Sequence, residues 1–279
     1  MAEAWQAWLG RTITLEDELD PRRPAWLAAT LGVSLAEAAP DGALPPLWHW
    51  ILFQDWQPPA SLGPDGHPKR GGFLPPVHHL PRRMWAGGRL AFPGTMRIGD
   101  RVHRTSTITA ITEKHGASGP LVFVTVRHTI DGPRGRAIEE EQDIVYRNTA
   151  GAARRQAVPE PLPEGAVIAE VVPDPVLLFR YSALTGNGHR IHYDADYVRE
   201  VEGYPGLVVH GPLQATWLAS VASRLRPQRR LTRFSFRALR PAFVGERLRL
   251  VGAESGDRVA LSVRDPSGAV TMAAEATFA

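Results

Sequence analysis

The decapeptide TGNGHRIHYD at residues 185–194 contains side chains that can move protons. His189 and His192 carry imidazoles, which titrate close to neutral pH and can therefore both accept and return a proton. The amide of Asn187 lies in the same segment and can hold a water molecule by hydrogen bonding. This combination favours general acid–base catalysis, in which an imidazole takes a proton from water or gives one to a leaving hydroxyl.

Metal binding, acyl transfer, dinucleotide binding and a purely structural role are also compatible with these residues. His189, His192 and Asp194 could share a metal, but the paired histidines of helical zinc sites usually lie four residues apart, and we predict that no metal binds here. His189 with Asp194 also fits the H-x-x-x-x-D pattern of some acyltransferases. GNGHRI starts like a dinucleotide-binding G-x-G-x-x-G but lacks the third glycine. A polar loop with solvated imidazoles is the least specific alternative.

A glycine at the start of a long apolar segment supplies a second candidate group. The stretch VVHGP at 208–212 leads into HGPLQATWLASVASRL, for which the spacing of apolar residues predicts a helix at 210–225. The first backbone N–H groups of a helix can bind a negatively charged oxygen, and Gly211 lets a substrate approach the main chain closely. We therefore predict that Gly211 can polarise a carbonyl oxygen that becomes enolate-like.

The composition is that of a globular protein without membrane spans. Of the 279 residues, 43% are hydrophobic and 22% are charged, and the net charge of +3 does not indicate nucleic-acid binding. There is no cysteine, which excludes disulfides, zinc–thiolate sites and cysteine nucleophiles. The N-terminus lacks the pattern of a secretory signal, and no apolar run reaches the roughly 18 residues of a transmembrane helix. These features predict a cytoplasmic protein.

The chain divides at a segment that is rich in alanine, proline and charge. Residues 148–165 have no sustained periodicity, which predicts a linker between a first half at 1–147 and a second half at 166–279. Each half is long enough to form a domain of its own.

The second half is predicted to contain one strand, three helices and then four strands. Asp174 is a favourable N-cap, Pro175 suits the first position of a helix, and Gly186 is typical of a helix end. The predicted elements are strand 167–172, helices 175–185, 194–201 and 210–225, and strands 231–239, 246–254, 257–264 and 269–278.

The first half has the same order, with helices before four strands. Its predicted helices are 21–31 and 44–56, and its predicted strands lie near 89–92 and at 101–113, 121–130 and 136–147. Two copies of one α+β unit are therefore predicted, each with helices against an antiparallel sheet. Residues 57–88 show little helix or strand pattern, and so long a connection indicates a segment that covers a site.

Three segments resemble one enzyme family. YSALTGNGHRIHYDADY, GLVVHGPLQATWLA and RFSFRALRPAFVGERL, in this order, are similar to the hydratase half of the MaoC-like enoyl-thioester hydratases and dehydratases. The resemblance implies the hot-dog fold, a long helix wrapped by an antiparallel sheet. For this chain it implies a double hot-dog of class α+β, with two long helices. The usual loop of the family reads G-D-x-N-P-x-H, and this chain has GNGHRIH at 186–192.

The resemblance implies roles for individual residues. The catalytic histidine of the family maps onto His192, which would be the general base in hydration and the general acid in dehydration. The usual catalytic aspartate maps onto Asn187, which cannot accept a proton and would orient the water or the substrate instead. The N–H group of Gly211 would polarise the thioester carbonyl, and His189 would either assist or fix the loop.

Several basic residues are candidates for binding the substrate and its coenzyme A group. Arg237 and Arg240 follow strand spacing and lie near the place where the family binds the coenzyme A phosphates. Lys69 and Arg70, beside two glycines, can meet a phosphate or a substrate carboxylate, and His210 precedes the long helix. Salt-bridged residues at a sheet edge and a solvated basic turn are the alternatives.

The first half resembles the N-terminal, dehydratase-like half of such proteins. LPPLWHW, GPDGHPKRGGFLPP and RRMWAGGRL carry this similarity. Together with the loop N-G-H-x-I-H-Y-D, they resemble a branch of mitochondrial-type 3-hydroxyacyl-thioester dehydratases and mesaconyl-C4-CoA hydratases. The resemblance implies that 1–147 is non-catalytic and makes room for the acyl group, whereas 166–279 carries the chemistry.

The function implied by the resemblance is that of a hydro-lyase. It would add or remove water across a double bond conjugated to a coenzyme A thioester, preferably mesaconyl-C4-CoA or a related short branched dicarboxylic acyl-CoA. Because the coenzyme A thioester is the substrate, no cofactor is expected. No binding to a nucleic acid or to a membrane is expected either. The protein is expected to form a homodimer. The alternatives are a 3-hydroxyacyl-CoA or acyl-carrier-protein dehydratase of fatty-acid or polyketide type, a hot-dog module that only binds acyl thioesters, and a thioesterase.

Overall fold

Ten strands form one large sheet in the computed structural model, which describes residues 2–39, 41–116, 119–148 and 158–279. The strands are β1 (Thr12–Glu18), β2 (Arg82–Ala91), β3 (Arg101–Gly116), β4 (Gly119–Gly132), β5 (Gly135–Arg147), β6 (Val167–Val171), β7 (Leu231–Ala238), β8 (Leu248–Ser255), β9 (Arg258–Arg264) and β10 (Val270–Phe278). All neighbouring strands are antiparallel, in the order β1-β3-β4-β5-β2-β7-β10-β9-β8-β6. The five strands of the first half of the chain are therefore adjacent in the sheet, and the five strands of the second half continue it from β7 onwards.

The helices are few, and one of them is long. The α-helices of the described residues are α1 (Arg22–Leu31), α2 (Leu35–Ala38), α3 (Pro175–Thr185), α4 (Ala195–Glu200) and α5 (Gly211–Leu225), and the 3-10 helices are Ala2–Trp8, Trp48–Ile51, Pro59–Ser61 and Arg190–His192. α5 contacts β7, β8, β9 and β10 and is buried on most sides, because apolar residues occupy most of its positions. Within the described residues, no helix combines the length and the apolar character that are needed to cross a bilayer.

The two halves meet where β2 pairs with β7. Gly87 lies opposite Arg237, and Gly88 lies opposite Phe236. A Cβ atom on Gly87 would come within 2.5 Å of the carbonyl oxygen of Phe236, and one on Gly88 would come within 2.9 Å of its ring. Glycine therefore allows the two strands to pair around a buried aromatic ring. The result is a continuous sheet and a shared hydrophobic core.

The prediction of a helix at 44–56 is wrong. The segment contains only the 3-10 helix Trp48–Ile51. Pro45 and Pro46 lack the N–H groups that a helix needs, and Leu47, the residue that follows them, has a left-handed φ of 69°. The described part of the first half therefore has no long counterpart of α5, although the fold is of the α+β class that the sequence predicts.

A buried carboxylate holds this 3-10 helix against the sheet. Glu140 of β5 lies 3.0 Å from Nε2 of His49 and accepts a hydrogen bond of 3.0 Å from Nε1 of Trp50. Burial alone raises the pKa of Glu140, but the hydrogen bond and the charge of His49 outweigh it and lower the pKa to about 2. The ionised carboxylate thus fixes the rings of His49 and Trp50 against β5.

The sequence predicts neither β1 nor the start of β2 at Arg82. β1 is an edge strand with most of its side chains exposed, so it lacks the apolar alternation of a half-buried strand. The beginning of β2 lies in the segment 57–88, whose pattern predicts irregular structure and which otherwise contains only one 3-10 turn. Half of the linker predicted at 148–165, residues 149–157, lies outside the described residues. The other predicted strands and helices are confirmed, with shifts at their ends.

Replacing Gly87 by alanine is expected to destabilise the joint between the halves. The added Cβ would overlap a main-chain oxygen of β7, and such overpacking costs about 1–3 kcal/mol. For a chain of this size the melting temperature should fall by about 2–4 °C for each kcal/mol. Gly72→Ala is the matched control, because a Cβ there meets nothing within 4 Å. Equal melting temperatures of the two variants, measured by circular dichroism, would contradict a closely packed joint.

Candidate active site

The decapeptide 185–194 follows α3 because this helix ends at Gly186. At the start of the helix, Oδ1 of Asp174 accepts a hydrogen bond of 2.7 Å from the N–H of Leu177. At its end, Gly186 has a left-handed φ of 63°, and the carbonyl of Ser182 accepts from the N–H groups that follow the helix. The predicted cap and stop are therefore confirmed.

His192 has the geometry of a neutral base. It is 6% exposed at the end of a 3-10 turn, and its Nδ1 lies 2.7 Å from the carbonyl oxygen of Val208. A carbonyl oxygen can only accept, so Nδ1 carries the proton and Nε2 keeps a lone pair. The N–H of Val208 also donates to the carbonyl of Ile191 at 2.9 Å. The ring of His192 and the main chain before it are therefore held by the same residue.

The ring of His210 packs against the ring of His192. The two rings stack with their centroids 3.6 Å apart and 17° between their planes. Nε2 of His210 lies 2.8 Å from Oγ of Ser182, the ring is fully buried, and its Nδ1 has no partner within the described residues. The sequence predicts that His210 binds the substrate, but its ring is fully buried between Ser182 and His192 and has no exposed edge for such a contact.

Burial keeps both stacked rings neutral. It lowers the pKa of His192 to about 3, although the hydrogen bond to Val208 acts in the opposite direction. Burial and the neighbouring His192 likewise lower the pKa of His210 well below its usual value. A proton on either ring would place a charge in a medium of low dielectric constant. At neutral pH the lone pair of His192 is therefore free to accept a proton.

Asn187 and His189 belong to the same loop as the candidate base and contact each other. Oδ1 of Asn187 accepts a hydrogen bond of 3.0 Å from the N–H of His189, so the carbonyl oxygen of this side-chain amide is engaged within the loop. The ring of His189 lies edge to face with that of His192, with 5.7 Å between the centroids. Burial lowers the pKa of His189 to about 3, and neighbouring charged groups modify it further. Two neutral imidazoles thus lie side by side.

Gly211 lies next to this pair at the start of α5. It follows His210 directly in the chain, and its N–H makes no hydrogen bond to the described part of the chain. A Cβ at this position would approach only Cε of Met272, at 3.8 Å. The predicted helix start at Gly211 is therefore confirmed, and its N–H group is left without a partner among the described residues; its role as a donor to a carbonyl oxygen stays a prediction.

Two neighbours of His192 have structural roles in the loop. Asp194 caps α4 by accepting from the N–H of Tyr197 at 2.9 Å, and it forms an ion pair of 2.7 Å with Arg190. Tyr193 is half exposed, and its hydroxyl donates to the carbonyl of Gly188 at 3.0 Å. Both side chains hold the loop in its conformation.

Lys69 and Arg70 bind the protein's own main chain. The guanidinium of Arg70 donates to three carbonyl oxygens within 77–81 and lies 5.3 Å from the centroid of the Tyr146 ring. Nζ of Lys69 donates to the carbonyl of Ala60 at 2.8 Å. The assignment of Arg70 to a phosphate is therefore corrected, because its donors already hold the loop together.

The predicted arginines of the second half lie at the end of β7. Arg237 is exposed, and its side chain has neither an ion pair nor a hydrogen bond within the described residues. The main-chain N–H of Arg240 donates to the carbonyl of Thr271 at 3.1 Å, and its side chain is partly buried. Arg237 is the more accessible of the two for a phosphate group.

The first half contributes two residues that were not among the predicted site residues. Asp65 and His67 belong to the 63–67 turn, which is closed by a hydrogen bond of 2.7 Å between the main chains of its first and last residues. The N–H of Arg190 donates to the carbonyl of Asp65 at 2.9 Å, and the ring of His67 lies 4.2 Å from that of His189. The sequence signal for them is the polar group D-G-H inside a long connection.

Two glycines allow the 63–67 turn to touch the decapeptide. Gly66 has a φ of 85°, and a Cβ on it would lie 2.0 Å from the carbonyl oxygen of Gly188. Conversely, a Cβ on Gly188 would lie 2.9 Å from the carbonyl oxygen of Gly66. The main chains of the two halves therefore meet directly beside the candidate base.

One group near the base has the composition of a metal site. Asp65, His67 and His189 each offer a ligand atom, and the three atoms lie within 4.8 Å of one another. Carboxylate and imidazole ligands suit zinc and similar divalent ions. The same groups also interact directly, because Nδ1 of His67 lies 3.2 Å from Oδ2 of Asp65.

A neutral imidazole beside an open helix start suits the addition of water to a thioester-conjugated double bond. The chain belongs to the type 2 hydroxyacyl-thioester dehydratases, whose family model matches residues 47–244. It is therefore a hydro-lyase that acts on acyl thioesters. Over 272 residues it is 47% identical to the mesaconyl-C(4)-CoA hydratase of Chloroflexus aurantiacus, a match that covers 97% of this chain and 96% of that protein.

Solved structures with the same fold confirm the architecture. A MaoC-like dehydratase from Phytophthora capsici superposes with a TM-score of 0.71 at 16% identity, covering 97% of this chain and 95% of that one. A Mycobacterium tuberculosis protein described as a double hot-dog superposes with a TM-score of 0.57 at 13% identity, covering 97% and 96%. The predicted double hot-dog of class α+β is confirmed, with only one of its two predicted long helices present in the described residues.

The stability of the fold is expected to fall as the pH drops below about 6.5. An unfolded histidine binds a proton near this pH, whereas folded His192 does so only near pH 3, so the unfolded state holds more protons in between. One such group lowers the free energy of unfolding by about 1.4 kcal/mol per pH unit across this window. Below about pH 4.5 the carboxylates with lowered pKa values, Asp65 and Glu140, add to the loss.

Urea unfolding at pH 7, 6 and 5 measures this dependence. His192→Gln should reduce the slope against pH by the share of one buried histidine, whereas His78→Gln, at an exposed position, should leave it unchanged. An equal slope for wild type and His192→Gln would show that His192 is not held neutral by the fold.

Proposed function

We propose that this enzyme adds water to mesaconyl-C4-CoA, a short branched dicarboxylic acyl thioester, and catalyses the reverse reaction. The identity of 47% over nearly the whole chain to a hydratase with this substrate supports the acyl group. The chemistry is supported above all by His192, whose Nδ1 is bound to Val208 while Nε2 keeps a lone pair.

In hydration, Nε2 of His192 removes a proton from water while the water oxygen bonds to the β-carbon of the double bond. The electron pair of that bond moves towards the α-carbon and the thioester carbonyl, which gives an enolate. The proton on Nε2 then passes to the α-carbon, and the imidazole is neutral again. In dehydration His192 takes the α-proton and returns it to the leaving hydroxyl, so one group serves both directions.

The enolate oxygen requires a hydrogen-bond donor that is already in place. The N–H of Gly211 lies at the positive end of α5, one residue after the ring that stacks on His192. Such a donor stabilises the oxygen most when negative charge develops, so it lowers the barrier more than it tightens substrate binding.

A dicarboxylic acyl group calls for a cation near the base. Arg83 is half-buried, and its Nη2 lies 3.5 Å from the carbonyl oxygen of Pro68, the residue after His67. We assign the free carboxylate of the acyl group to Arg83, because a guanidinium and a carboxylate form two parallel hydrogen bonds.

A dehydratase that acts on 3-hydroxyacyl thioesters is the second candidate. The description of the matching family model favours it, and the same groups would carry it out in the opposite direction. The two candidates differ only in the acyl group and in the carrier, not in the role of His192.

A panel of coenzyme A thioesters tests the proposed substrate. Absorbance of the conjugated thioester gives kcat/KM for mesaconyl-C4-CoA, crotonyl-CoA and longer monocarboxylic enoyl-CoA compounds. Mesaconyl-C4-CoA should be preferred by at least about 100-fold, since a site built to bind a charged group discriminates strongly against substrates that lack it. A preference for a monocarboxylic chain would contradict the proposed acyl group and favour the second candidate.

Removal of the base should abolish most of the activity. His192→Ala is expected to lower kcat by about 10²–10⁴-fold, the usual contribution of a general acid–base group. His78→Ala, at an exposed position, is the control and should retain full activity. Both variants are first checked for native circular dichroism. Near-normal turnover in folded His192→Ala would remove this residue from the mechanism.

A further inference from the structure

The 63–67 turn joins the first half to the active site of the second. Its main-chain carbonyls at Pro64 and Asp65 accept hydrogen bonds from Arg190, at 3.0 and 2.9 Å. The close approach of Gly66 and Gly188 fixes the turn at this place. The turn is thus built into the loop that carries the base, although it comes from the half that the resemblance implies to be non-catalytic.

Asp65 fixes the orientation of His67. Oδ1 of Asp65 accepts from the main-chain N–H of His67 at 3.1 Å, and Oδ2 lies 3.2 Å from its Nδ1. Burial raises the pKa of Asp65, but the hydrogen bonds from the side chain and the main chain of His67 outweigh it and hold this pKa far below its usual range, so the carboxylate keeps its charge. Since a carboxylate only accepts, Nδ1 of His67 carries a proton, and its ring can take only one orientation.

His67 in turn contacts His189. The two rings are 4.2 Å apart, with 42° between their planes, and the ring of His189 lies edge to face with that of His192. The ring of His189 makes no hydrogen bond to the described part of the chain, so these ring contacts are what position it. A continuous row of side chains therefore leads from Asp65 through His67 and His189 to the base.

We propose that Asp65 and His67 are positioning residues of the active site, which hold the ring of His189 so that it binds the attacking water together with His192. The inference rests on the hydro-lyase reaction and not on the identity of the acyl group. Under this proposal, residues from both halves of the chain form the active site. A divalent ion is not needed to explain the cluster, because hydrogen bonds already close the turn around Asp65 and His67.

Asparagine at position 67 separates the role of the ring from that of the turn. Its amide N–H group can replace Nδ1–H as the donor to Asp65, but it has no ring to place against His189. His67→Asn and Asp65→Asn should therefore lower kcat by about 10- to 100-fold, by analogy with partners that orient metal-bound imidazoles, and change KM by less than about threefold. His78→Asn, an exposed histidine in the same connection, is the matched control.

A double-mutant cycle shows whether His67 acts through His189. In a His189→Ala background, His67→Asn should cause no further loss of kcat, because the ring that it positions is gone. Full additivity of the two losses would overturn the proposal. So would activity of His67→Asn equal to that of the control, or a higher KM at unchanged kcat, since either result gives the turn a purely structural role.

Nuclear magnetic resonance of the histidine rings gives a readout that needs no substrate. The ring signals of His189 should shift in His67→Asn and in Asp65→Asn but not in His78→Asn, while His192 keeps its proton on Nδ1. If no thioester in the activity panel were a substrate, the proposed function would be contradicted, but the ring signals of His189 could still be measured. Unshifted His189 signals would overturn the positioning role itself, and so would stoichiometric zinc in the purified protein.

Discussion

The two hydrogen bonds of Val208 set the geometry on which the active site depends. Its carbonyl oxygen binds Nδ1 of His192, and its N–H binds the carbonyl of Ile191. Val208 also forms a β-bridge with Phe243, and α5 begins three residues later at Gly211. One short extended segment therefore fixes the ring of His192 relative to the start of α5. Because the bond involves main-chain oxygen, it does not depend on which side chain occupies position 208.

A neutral residue at position 187 fits this arrangement. An ionised carboxylate beside the imidazoles would favour their protonated forms and so remove the lone pair that accepts a proton from water. Asn187 instead uses its carbonyl oxygen to shape the loop through the N–H of His189. The candidate base therefore lies in a row of uncharged rings, and the carboxylate of Asp65 lies 3.2 Å from Nδ1 of His67.

Local signals are sufficient to predict some elements and misleading for others. The ends of α3 follow from Asp174 and Gly186, whose effects act within one helical turn. The helix expected at 44–56 does not form because prolines and a left-handed residue interrupt an otherwise apolar pattern. The neighbourhood of His67 and His189 could not be predicted, since it exists only after both halves have folded and the glycines of two distant loops have met. His192 is a candidate from the sequence alone because its residue type and spacing lie within one short motif, whereas its role as the base stays a prediction.

The mutual approach of Gly66 and Gly188 limits how the two halves can be recombined. Each glycine lies against a main-chain oxygen of the other, so a side chain on either would force the loops apart. A chimera that takes its halves from two different relatives keeps this joint only if both parents have glycine at both places. The halves resemble duplicated modules, yet they are not exchangeable parts. Enzyme engineering that replaces the first half to admit new acyl groups must therefore transfer the 63–67 turn and its receiving loop as a matched pair.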